Sequence, residues 1–461
     1  MSSINTVYRK FAGVYVLTAL LAFSLVHSSS LRADERWTVK GKITAEHVLP
    51  ELKEAFGTSD GVGGVTVRVS ARSNVLGFWG TWNSWGDIKT GPAGSFEVSE
   101  THNGDLRQFK VEILFDSDKL RIKEGQETYI KFDSHGFPLD VAFDLTDKDW
   151  HEVLNDSNRN GRKAGVIDLG DIKITRDLVK KHADLWLLYN KAFGVFRGYG
   201  PDFAFKNKVV VKYPMGIGNN ASDSSSYSNP LNGVIYIKEN QFKIGPLLHE
   251  LMHQWTYDRS TGEDAMVWQL VKHQDVHQAR ENTTFVAFNE GFAEWASFKV
   301  FKEITDGKVL DSYSFFYKYP DLPLTRSYIG AALAASERSV ANVDYTERGW
   351  QGLFNILTFQ FLDRVDFNKP LTANDTSFAY VTLLLPKPCL DKRLGYSLKD
   401  VLSVFHKYPN EGIDNYMKQS DLKFTGFLAR AGAILPGFES EKIKNVKTYL
   451  DPKSTVNPCV P

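Results

Sequence analysis

The chain has 461 residues, with 55 basic and 55 acidic side chains, a formal net charge of zero and 13% aromatic residues. That length is enough for two to three domains with a sizeable core, and the aromatic content favours globular packing over disorder. There is no basic arm or acidic tail to draw nucleic acid, and no Gly-rich phosphate loop, G-x-S-x-G elbow or internal repeat is present.

At the start, Arg9 and Lys10 precede FAGVYVLTALLAFSLV (residues 11–26), and HSSSLRADE follows. A basic lead, an apolar run and small residues suited to cleavage near Ser30 or Ala33 read as a signal peptide over residues 1–33. An uncleaved signal anchor is the alternative, although the run is slightly shorter than the ~20 residues of a spanning helix. No other stretch is apolar enough to span, so the expected protein is secreted or periplasmic, with no membrane span after cleavage. Cys389 and Cys459 permit one disulfide in such a compartment. The sequons at Asn155, Asn220, Asn282 and Asn374 matter only in a source that glycosylates exported proteins.

Residues 36–176 read as β-rich. VTVRVSAR (65–72) alternates as a half-buried strand does, GSFEVSE (94–100) follows a GPAG turn, and FKVEILF (109–115) alternates again. ETYIKF and VIDLGDIKI add further short strands, and the spacing predicts a β-sandwich accessory domain. The pattern GKI…GVGGVTVRVSA…GPAGSFEV…IDLGDIKI resembles the transthyretin-like, carboxypeptidase-regulatory type of domain, which implies an accessory or binding role. Within it, DSNRNG (Asp156–Gly161) has the oxygen spacing that opens a calcium loop, but its twelfth position is Ile167, so a solvated turn is the expected reading.

From Asp177 the pattern becomes helical. DLVKKHADLWLLYNKAF stops at GYGP, VVVKYP (209–214) reads as a buried strand, GNNASDSSSYSNPLNG as a polar loop, and GVIYIKEN (233–240) as another strand. Helices follow at LLHELMHQW, NEGFAEWASFKVF (289–301), RGWQGLFNILTFQFLDR (348–364), LKDVLSVFHKY (398–408) and near 421–433. The expected fold is α+β, with a catalytic domain over 177–440 and a tail over 441–461.

LLHELMHQW carries the chemistry. Residues four apart on a helix share a face, so His249 and His253 point the same way, close enough to hold one ion. Neutral imidazole suits zinc, and zinc lowers the pKa of the water it holds from ~15.7 to ~7. Glu250, next to the first histidine, is placed to take the water's proton and hand it to a leaving amine. Chance histidines on a core helix are the alternative. Leu248, Leu251, Met252 and Trp255 mark the helix as buried, where polar groups need partners that a metal would supply.

A catalytic zinc keeps three protein ligands. NEGFAEW offers Glu290 as the third, with Glu294 one turn on to accept the outward N–H of a ligating histidine; the reverse assignment of the two glutamates stays open. Asn289 is a candidate to brace the other histidine. An acidic helix start favoured by the macrodipole is the bland reading of the same stretch.

HELMHQW followed by NEGFAEW resembles the gluzincin metallopeptidases, the thermolysin-like and aminopeptidase-type families, across residues 233–300. The resemblance implies Glu290 as third zinc ligand and Glu294 as an orienting acid. Two departures stand out: the spacer before Glu290 is about twice the usual length, and no G-A-M-E-N signature precedes the helix. The resemblance also implies an edge strand beside the site, for which GVIYIKEN is the candidate, with an interior strand as the equal alternative. An oxyanion donor is required as well, and Tyr345 is the first choice, ahead of Tyr313, Tyr317 and Tyr328. His273 and His277 form a further i, i+4 pair that reads as a solvated helix face, within an insert over 256–288 that is a candidate cleft wall or lid.

The expectation is a secreted zinc metallopeptidase with one zinc ion per chain, acting on a peptide or protein substrate, endopeptidase before exopeptidase. A hydrolase with a narrow target, such as one cell-surface protein, is a variant of that reading. The alternative from a different class is a binding or carrier protein in which the metal only staples the fold. Glu250 argues against it, because a structural site needs no base.

Overall fold

A computed structural model of the chain describes residues 35–75, 78–102, 106–124, 130–132, 138–141, 149–154, 165–215, 226–229, 233–259, 284–306, 354, 396–406 and 424–435. The signal segment, DSNRNG, the sequons, both cysteines, His273, His277, the four candidate tyrosines from Tyr313 to Tyr345, and the tail lie outside these residues. The protein combines sheets with helices, an α+β chain, and divides into two compact units. One comprises residues up to Ala45, Gly61–Leu114 and Trp150–Thr175; the other comprises Glu46–Asp60, Phe115–Asp149 and everything from Arg176 onward. Two stretches inside the expected β-domain, 46–60 and 115–149, thus belong with the helical unit.

The first unit is built on strands. Glu35–Glu46 pairs in parallel with Val166–Ile174 and antiparallel with Ser95–His102. A second sheet runs in the order His151–Leu154, Leu106–Leu114, Thr66–Val75, with Asn83–Lys89 also pairing with Thr66–Val75. Alternation decides which faces are buried: Trp37, Val39 and Ile43 from one sheet and Val67, Val69, Ala71, Phe109, Val111 and Ile113 from the other are wholly buried. The rings of Trp37 and Phe109 meet at 6.2 Å between centroids, and Trp85 meets Phe109 edge-on at 5.7 Å. Gly94 closes the expected GPAG turn at φ +82°, where a Cβ would lie 2.3 Å from the carbonyl oxygen of Ile43. On the opposite face of the second sheet Arg68 lies 4.1 Å over the Trp150 ring and makes a two-pronged hydrogen bond to Asp87.

The second unit places a four-stranded sheet against helices. Its order is Tyr227–Asn229, Val234–Tyr236, Val209–Lys212, Leu120–Lys123, parallel except for the antiparallel first pair. Leu120, Ile122, Val211 and Ile235 share one buried face. Helix α1 (Pro50–Phe56) is short; α2 (Asp177–Tyr199) begins with Asp177 at its positive end and stops inside the expected GYGP cluster, with Gly200 as its cap. Helices α3 (Ile244–Arg259), α4 (Thr284–Ile304), α5 (Leu398–His406) and α6 (Phe424–Ile434) follow. The start of α5 is fixed by a reciprocal cap. Ser397 Oγ accepts from the N–H of Asp400 at 3.1 Å, while Asp400 Oδ2 accepts from the N–H of Ser397 at 2.8 Å. Among the described residues no helix is long and apolar enough to cross a membrane.

One feature of this unit decides between two equal expectations and another differs from what was expected. Val234–Tyr236 is an interior strand, so GVIYIKEN does not supply the edge. Among the described strands, the outer place beside it is taken by Tyr227–Asn229, out of the stretch expected to be a polar loop. Tyr227 stacks on Tyr236 at 4.7 Å, and Ser228 Oγ donates to the backbone carbonyl of Glu250 at 2.7 Å, so context makes a strand from residues with little intrinsic preference.

Candidate metal centre

Helix α3 is held by an apolar set that leaves one stripe for chemistry. Ile244, Leu247, Leu248, Leu251, Met252 and Trp255 are wholly buried. Trp255 stacks between Phe196 of α2 at 5.4 Å and Phe292 of α4 at 5.9 Å, and its Nε1 donates to the carbonyl of Phe203 at 2.8 Å. Helix α4 answers with Phe288, Phe292, Ala293, Trp295 and Ala296, all buried, and Phe354 fills the space beside Trp295. A helix apolar around most of its circumference belongs in a core. The few polar residues these two helices turn toward each other therefore need a common partner.

Those residues are the predicted ones. His249 Nε2 lies 3.0 Å from Glu290 Oε2, His253 Nε2 lies 3.2 Å from the same oxygen, and the two Nε2 atoms are 2.9 Å apart. The imidazole planes stand at 89° to one another. Among the described residues this triad forms a group of ligand atoms able to hold a metal ion. The spacing matches the donor set: ligands ~2.0–2.1 Å from a tetrahedral ion sit about 3.3 Å from each other. Two imidazole lone pairs and a carboxylate oxygen at this range repel unless a cation or shared protons lie between them. Two nitrogens and one oxygen form a set that zinc accepts.

The surroundings extend the stripe. Burial alone would raise the carboxyl pKa of Glu290, but His253 and His249 beside it outweigh burial and hold it well below the usual carboxylate range. Glu250 is buried, and its charge helps raise the phenols of Tyr189 and Tyr257, in both cases after burial. Tyr189 of α2 anchors the turn before His249 by donating to the carbonyl of Leu247 at 2.7 Å. Asn289 is fully buried, with Nδ2 2.9 Å from His253 Nδ1, so of the two histidines it meets His253. Glu294 is buried one turn beyond Glu290, with Ser297 Oγ donating to its backbone carbonyl at 2.7 Å.

Tyr257, Tyr189 and Ser228 were not anticipated from sequence. Tyr257 alone had a signal, standing four residues after His253 and so on the same helical face. Its ring lies parallel to that of His253, 6.0 Å away at 9°. Ser228 and Tyr189 reach α3 from far along the chain and had none.

No family model and no curated protein matches the chain. Among solved structures, a 9R-lipoxygenase from Cyanothece matches at 11% identity with a TM-score of 0.17, covering 43% of this chain and 30% of that one. A likeness this slight carries no argument about fold or activity.

Proposed function

We propose that this protein is an exported zinc metallopeptidase of the gluzincin type that hydrolyses peptide bonds, with endopeptidase action first. The observation that carries this reading is the convergence of His249, His253 and Glu290, from two helices, within 2.9–3.2 Å of one another and next to a buried Glu250. A zinc ion held there would polarise the scissile carbonyl and acidify water. Glu250 takes the proton as general base and returns it to the leaving amine. Glu294 would accept the outward N–H of His249, as Asn289 would that of His253. Tyr227–Asn229, whose middle residue is bonded to the Glu250 carbonyl, is the strand that would hold an extended substrate, a reading supported by that bond. Tyr345 keeps its role as candidate oxyanion donor. The first unit, whose two sheets share the Trp37–Phe109 contact, is read as the transthyretin-like sandwich, positioning enzyme or substrate.

The test is cleavage of a mixed peptide library by wild type and Glu250→Gln, both loaded with zinc, with products read by mass spectrometry. Internal cuts made by the wild type alone support an endopeptidase; loss of single terminal residues converts the reading to an exopeptidase. Zinc bound by both with no cleavage, and no displacement by hydroxamates, would favour the carrier protein with a structural metal.

A further inference from the structure

Asn289 does not fit its neighbours as it stands, and the misfit involves Tyr257. With metal on Nε2, the Nδ1 of His253 must carry the ring proton and donate it. Facing it at 2.9 Å is the amide nitrogen of Asn289, itself a donor, while Asn289 Oδ1 is buried with no hydrogen-bond partner. A side-chain amide exchanges its oxygen and nitrogen by a half-turn about its last bond, with little change of shape. That half-turn gives the Nδ1–H an acceptor and removes an oxygen from a place where nothing donates to it.

The Tyr257 hydroxyl hydrogen-bonds this same amide, and because Asn289 Oδ1 has no partner the nitrogen is the end that faces the hydroxyl. After the half-turn the oxygen sits where both donors point, the imidazole Nδ1–H and the phenol O–H. The parallel ring stack of Tyr257 on His253 sets the hydroxyl in place.

We infer that Tyr257 is a positioning residue of the metal centre: its hydroxyl locks the Asn289 amide oxygen toward His253 and thereby holds His253 as the Nδ1–H tautomer that presents Nε2 to the ion. This rests on the metal-site reading above. It concerns the chain's own hydrogen bonds and is read by metal affinity, independently of peptide cleavage.

The experiment uses the full protein, stripped of metal, as wild type, Tyr257→Phe, Asn289→Asp and the double variant. Zinc affinity is measured by competition with a chromophoric chelator, and the cobalt(II) absorption bands are recorded in parallel. Tyr257→Phe keeps the ring stack and loses the lock, so zinc affinity should fall about tenfold and the cobalt bands should shift, with the metal-free melting temperature unchanged. Asn289→Asp offers an oxygen whichever way it turns, so in that background Tyr257→Phe should change affinity less than about twofold. Should Asn289→Asp not fold, Asn289→Ala serves, because with no amide left to orient Tyr257→Phe should again be silent. Wild-type affinity in Tyr257→Phe, or the same tenfold loss in both backgrounds, overturns the inference while leaving the metal site standing. A wild type that binds neither zinc nor cobalt overturns both.

Discussion

The second unit buries histidine against carboxylate in two places, on opposite terms. At the first, Asp184 of α2 is wholly buried and faces donors: His47 Nδ1 at 2.7 Å, the N–H of Val48 at 2.7 Å and the N–H of Leu49 at 2.9 Å. All three donate to the carboxylate, and the one ring nitrogen left over, His47 Nε2, is buried without a hydrogen-bond partner. At the second, Glu290 Oε2 meets two imidazole nitrogens that also face each other, and every atom at the meeting point is one that can serve as a metal ligand. Histidine and carboxylate, more deeply buried at Asp184 than at Glu290, make a staple in one place and a group able to hold a metal ion in the other. What separates them is the count of donors against acceptors, not the presence of His and Asp or Glu.

The comparison can be broken by mutation. The largest effect is expected from Glu250→Gln, which should lower peptide cleavage by a factor of about 10³ while zinc stoichiometry stays at wild type, since the base is lost and the ligands are not. Zinc analysis of the purified protein, beside the assay, checks both halves. Asp184→Ala should do the reverse. It strands three buried donors and should cost about 3 kcal/mol of stability in denaturant titration, yet the folded fraction should still bind zinc with wild-type affinity. Loss of zinc with retained stability in that variant would erase the distinction drawn here.

A third effect follows acidity. Histidine must be neutral to ligate, so metal should leave as pH falls through the histidine range, around 6.5 or somewhat below, seen as release to a fluorescent indicator. The smallest effect lies further along α4 at Lys299, whose ammonium is pushed down to about 7 by burial first and by the charge of Lys302 second. The unfolded chain holds that proton up to the ordinary lysine value of 10.5, so between about 7 and 10.5 the unfolded state binds more protons and stability rises with pH. Lys299→Met should raise the melting temperature by roughly a few degrees at pH 6 and flatten that rise.

Helices α3 and α4 were legible because their signal is local. Four-residue spacing puts His249, His253 and Tyr257 on one face, and the leucines around them declare burial. Alternation likewise showed Thr66–Val75 and Leu106–Leu114. What escaped was set by contacts distant in the chain. Tyr227–Asn229 is a strand because Tyr236 and the carbonyl of Glu250 receive it, and nothing in a serine-rich stretch announces that. Asp184 sits in the middle of an apolar helix, where its partners at His47, Val48 and Leu49 are more than a hundred residues away. Leu120–Lys123, only four residues long, pairs in parallel with Val209–Lys212, and parallel pairing leaves no mark in either segment.

That last strand also bears on how the protein can be made. Because the helical unit recruits Glu46–Asp60 and Phe115–Asp149 from within the β-rich stretch, its sheet and the Asp184 staple are complete only when those upstream segments are present. A gene fragment starting at Asp177 would encode α3 and α4 but neither Leu120–Lys123 nor His47. On a ribosome the early segments must wait, unpaired, until Val209–Lys212 and α2 emerge.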